Sequence, residues 1–128
     1  MVTHSKPPIF DKCEKEFGIT WDNTIFAYLP NIHAKYSLTD DLIEHEMVHL
    51  KQQQELGDVE KWWQVYFDDP PQRLKWELEA YRRQYNFLKA KIGRNELFDK
   101  VHFWASLLSS RFYGYLIDYR EAIKEITK

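Results

Sequence analysis

The stretch Thr39–Gly57, "TDDLIEHEMVHLKQQQELG", decides how the rest of the chain is read. It reads as one helix. Ser37 or Thr39 can cap its start, Asp40 and Asp41 suit the positive end of the helix dipole, and Gly57 closes it. Ile43, Met47 and Leu50 recur at helical spacing and are expected to face the core. Off that stripe lie His45 and His49, with Glu46 directly after the first. Residues i and i+4 of a helix sit about 5–6 Å apart on one face, so both imidazoles can reach one ion at roughly 2.0–2.1 Å. Glu46 lies about 100° around the helix, beside any ion the histidines hold. Two neutral imidazoles anchor a cation without cancelling its charge, and the cation lowers the pKa of a bound water to about 7. A carboxylate in the Glu46 position can take that water's proton and pass it to a leaving amine.

The flanking sequence supplies the scaffold. Pro7-Pro8 leads into "IFDKCEKEFG", a short helix stopped at Gly18. "NTIFAYLP" is the best strand candidate, ended by Pro30, and "IHAKYS" is a possible second extended piece antiparallel to it. After the motif helix, Asp58 begins "DVEKWWQVYFDD", a further helical segment ended by Pro70-Pro71. "QRLKWELEAYRRQYNFLKAKIG" is the longest clear helix, with Gly93 expected as its C-terminal cap. Asn95 opens another helix, "RFYGYL" reads as a turn or short strand, and Asp118 with Glu121 forms a capping box for a last helix. Trp62, Trp63, Trp76 and Trp104 sit in helical patterns and are expected in the core. The pattern predicts an α+β, mostly helical fold: a small β element, then the motif helix, then a second long helix.

Bulk properties set limits. A chain of 128 residues suits a single domain with one core, spanning residues 1–128. Its net charge of −2 demands neither nucleic acid nor an anionic membrane as partner. The basic residues Arg73, Lys75, Arg82, Arg83, Lys89, Lys91 and Arg94 read more simply as the solvated face of the long helix than as a nucleic-acid surface. Cys13 is the only cysteine, which forbids an intramolecular disulfide and fits a reducing compartment. The first eighteen residues hold no long apolar run, so neither a signal peptide nor a membrane span is expected, and the expected location is cytoplasmic.

Two histidines do not complete a catalytic zinc site, which needs a third protein ligand and an open position. The next histidine after His49 is His102, too far for the long histidine-rich variant of the motif. A carboxylate is available on the long helix, in "WELEAYRRQ", from either Glu77 or Glu79. These lie about 200° apart around the helix, so only one can face an ion. Glu77 borders the apolar stripe Leu74, Leu78, Tyr81, Tyr85 and Leu88, whereas Glu79 points away and suits a surface pair with Arg83.

Over roughly Thr39–Tyr85, His45-Glu46-Met47-Val48-His49 followed by "ELEA" on a second helix resembles the gluzincins, the thermolysin-like zinc peptidases. The likeness is to their short bacterial and phage-type members in particular. The resemblance implies that His45, His49 and Glu77 bind Zn²⁺, with Glu46 as general base and a protein or peptide as substrate. It also implies that the strand ahead of the motif helix, here "NTIFAYL", pairs with the substrate backbone. Tyr81 departs from the pattern, since many of these families carry Asp four residues after the glutamate ligand to orient a zinc-bound histidine. His102, Arg111, Tyr113 and Tyr115 are candidates by residue type to stabilise a tetrahedral oxyanion. The competing expectation is a catalytically silent metal-binding, regulatory or structural protein on the same scaffold.

Overall fold

A computed structural model describes residues 1–128, apart from the side chain of Phe112. The fold is α+β and mostly helical, with a small three-stranded sheet. The chain divides into two compact units, Met1–Trp63 and Gln64–Lys128.

The first unit holds β1 (Val2–Thr3), α1 (Phe10–Phe17), β2 (Phe26–Tyr28), β3 (Asn31–His33), α2 (Asp40–Leu56) and the start of α3 (Val59–Asp68). β3 is the central strand. It pairs antiparallel with β2, Ala27 opposite Ile32, as the sequence predicts, and parallel with β1, Val2 opposite Ile32. Two residues are too few to show an alternating pattern, so β1 had no signal in the sequence. Ala27, Ile32 and Leu50 form a buried cluster, flanked by Val2, Ile25, Leu29, Leu38 and Ile43. Beside it, Phe26 meets Phe10 edge-on at 6.0 Å and Trp63 at 5.5 Å between ring centroids. Cys13 is buried, and burial pushes its thiol up to about 11, so it is a packing residue rather than a nucleophile.

The outer edge of β2 is closed. Ala27 O accepts from Gln53 Nε2 at 2.6 Å and from Trp63 Nε1 at 2.9 Å, and Leu29 N donates to Gln53 Oε1 at 3.0 Å. The fully buried Gln53 amide supplies one donor and one acceptor to residues i and i+2, as a neighbouring strand would. The strand expected to pair with a substrate backbone is thus engaged by the protein's own side chains at Ala27 and Leu29. Gln53→Ala is expected to destabilise the protein by about 1–3 kcal/mol, because it empties a fully buried side-chain position and strands the half-buried Leu29 N–H. The exposed Gln54→Ala is expected to stay within about 0.5 kcal/mol. Urea unfolding of the two variants checks this; equal midpoints would mean the edge is not held by Gln53.

α2 also corrects one expectation. Its buried residues are His45, Glu46, His49, Leu50, Gln52 and Gln53, while Met47 is 51% exposed. At about 100° per residue the buried arc centres on the histidines and glutamines, with Ile43 at its margin and Met47 beyond it. Apolar periodicity pointed to the edge of a buried face that is mainly polar.

The second unit continues through α4 (Pro70–Lys89), α5 (Arg94–Leu108), a 3₁₀ turn (Arg111–Tyr113) and α6 (Tyr119–Ile126). Leu78, Tyr81 and Leu88 of α4 pack with Val101, Trp104, Ala105 and Leu108 of α5 and with Ala122 and Ile126 of α6. Pro70-Pro71, expected only as a stop, form the first turn of α4, where a missing N–H costs nothing; Asp69 caps it by accepting from Gln72 N at 3.1 Å. Gly93 does not cap α4, which ends at Lys89 with Ala90 as its C-cap; it is the extended N-cap of α5. Asp118 caps α6 as predicted, accepting from the backbone of Arg120 and Glu121. Among the described residues no helix is long and apolar enough to cross a membrane.

Candidate metal centre

On α2 the i,i+4 spacing places the His45 and His49 rings 5.0 Å apart between centroids, at 76° to each other. Both are buried, at 5% and 4% exposure. His49 Nδ1 lies 2.9 Å from Gln52 Oε1, one turn along the same helix. Because a side-chain carbonyl only accepts, this bond makes Nδ1 the protonated nitrogen and leaves the Nε2 lone pair for an ion. The His49 ring also meets that of Trp62, 5.3 Å away between centroids. Glu46, 8% exposed, brings Oε2 to 3.8 Å from His45 Nε2.

On α4, Glu77 is buried at 3% exposure while Glu79 is exposed. Tyr66 OH, from α3, donates to Glu77 Oε2. Tyr81 OH lies 3.0 Å from Tyr113 OH. Burial, and after it the Glu77 charge, push the Tyr66 and Tyr113 phenols well above the usual tyrosine range. Both therefore stay protonated as donors at neutral pH.

The ligand atoms of His45, His49 and Glu77 all lie within 4.8 Å of one another, and the three residues are buried. Such a group could hold a metal ion. Two imidazoles and a carboxylate, with one imidazole's far nitrogen already committed to Gln52, match the donor preference of zinc.

The other candidates separate clearly. His102 Nδ1 bonds to Tyr119 OH and its ring lies against Phe98, 4.0 Å between centroids. Tyr115, two residues past the 3₁₀ turn, is 69% exposed, and Arg111 is exposed. Tyr113 is buried, and after burial the Glu77 charge is the next cause of its raised phenol pKa. Tyr81 has Tyr113 as a hydroxyl partner, and His49 is oriented by Gln52. Gln52 was open to sequence reasoning, since it lies three residues after a candidate ligand. Tyr66 carried no such signal.

No protein-family model, curated protein or solved structure matches the chain. The residues themselves therefore carry the functional argument.

Proposed function

We propose that the protein is a zinc-dependent peptidase in which His45, His49 and Glu77 hold the ion and Glu46 is the general base. The convergence of the three buried ligand atoms supports this reading most. A bound zinc ion supplies Lewis acidity, polarising the scissile carbonyl and acidifying a water to a pKa of about 7. The chain's own residues do the rest. Gln52 holds His49 in the tautomer that presents Nε2. Tyr66 fixes one carboxylate oxygen of Glu77. Glu46, on the same helix as both histidines, takes the proton of the attacking water and returns it to the leaving nitrogen. The proposed substrate is a protein or peptide.

A second reading, a metal-binding protein without turnover, is favoured by one observation: Gln53 and Trp63 occupy the outer edge of β2. Two measurements on purified protein distinguish them, metal content and hydrolysis of an unfolded protein substrate. Stoichiometric zinc with hydrolysis supports the peptidase. Zinc without hydrolysis across varied substrates supports the second reading, and no zinc after reconstitution removes both.

A further inference from the structure

Arg73 stands on α4 one turn before Glu77, on the same side of the helix. It is half-buried, and it does not behave as part of a solvated basic face. Nη1 donates to Tyr66 O at 2.7 Å and to Phe67 O at 3.3 Å, two carbonyls in the last turn of α3. Nη2 donates to Tyr113 O at 3.2 Å. The guanidinium carbon also lies 5.7 Å from the centre of the Tyr66 ring. The chain passes this guanidinium at Gly114, where a Cβ would come within 3.2 Å of Nη2 and the backbone has φ +82. One planar fork therefore ties together the backbones of two tyrosines 47 positions apart in sequence, one bonded to Glu77 through its hydroxyl and the other influenced by its charge.

We propose that Arg73 is a positioning residue that sets Tyr66 against Glu77, and so fixes the carboxylate in the orientation needed to bind the ion. The effect on the ion rests on the zinc reading above; the placement of Tyr66 does not. Charge alone is not enough for this task. A lysine ammonium keeps the charge but cannot present two nitrogens in one plane to carbonyls on two segments.

The test uses the full chain carrying Arg73→Lys or Arg73→Gln, with folding followed by circular dichroism. Two quantities are read: zinc affinity by competition with a chromogenic chelator, and the Tyr66 hydroxyl proton resonance in metal-free protein. The resonance is assigned by its loss in Tyr66→Phe. Both Arg73 variants are expected to weaken zinc binding by about 10–100-fold, the range for groups that orient a ligand, and to shift or erase the resonance. A purely structural arginine would lower stability and leave the resonance in place. A folded variant with wild-type affinity and an unmoved resonance overturns the proposal. If wild-type protein takes up no zinc, the metal reading fails, and the resonance alone decides: moved, it supports the placement role; unmoved, it overturns it. If Arg73→Gln does not fold, the smaller change to Lys carries the test.

Discussion

Glu46→Gln is expected to lower peptide hydrolysis by about 10²–10⁴-fold while leaving the zinc content unchanged. That loss corresponds to about 3–5 kcal/mol of barrier. The substitution keeps the size of the side chain and its acceptor oxygen, so the buried position on α2 is still filled. It removes the ability to accept and return a proton. The 3.8 Å between Glu46 Oε2 and His45 Nε2 puts the carboxylate next to a proposed ligand. The variant therefore separates the two roles a glutamate can play there. Lost turnover with zinc retained marks a base. Lost zinc marks a ligand, and would require the assignment of Glu77 to be revised. Retained turnover would exclude Glu46 from the chemistry. Hydrolysis of an unfolded substrate and metal analysis of the same preparation distinguish all three.

How far the sequence reaches differs between the two units. In α2 the i,i+4 histidines, the start at Thr39 and the stop at Gly57 were readable, because they depend only on helix geometry, although Thr39 makes no side-chain cap hydrogen bond. Met47 was misplaced because the rule that apolar residues point inward fails on a helix whose buried face carries His45, Glu46, His49, Gln52 and Gln53. A buried polar face is stable only when its groups have partners, and those partners come from elsewhere in the chain. Gln53 shows the difficulty: its amide is satisfied by Ala27 and Leu29, more than twenty positions upstream, on a hairpin whose edge no local pattern reveals. In α4 the stripe of Leu74, Leu78, Tyr81, Tyr85 and Leu88 could be read, and with it the inward side of Glu77. Arg73 lies on that same side and could have been noticed from its spacing. Its role could not, because it depends on where the 3₁₀ turn brings Tyr113 back, 40 positions later.

Replacing Glu77 and Glu79 one at a time with Gln tests the third ligand, and the two results are expected to differ sharply. Glu77→Gln is expected to weaken zinc binding by more than about 100-fold, beyond the 10–100-fold typical of groups that only orient a ligand. Glu79→Gln is expected to leave it unchanged, since that side chain is exposed on the far side of α4. The first variant also has a signature that needs no metal. Glu77's charge is, after burial, the next cause of the raised Tyr66 and Tyr113 pKa values, so its neutralisation removes a repulsion that keeps both phenols protonated. In Glu77→Gln both should ionise at lower pH than in wild type, while remaining elevated because burial is unchanged. Titration of phenolate absorbance in Glu77→Gln and Glu79→Gln reads this directly. If Glu79→Gln lowers zinc affinity and Glu77→Gln does not, the wrong carboxylate has been assigned to the ion. If Glu77→Gln shifts the tyrosine titration but not zinc binding, Glu77 belongs to a tyrosine–carboxylate network that serves the fold rather than a metal.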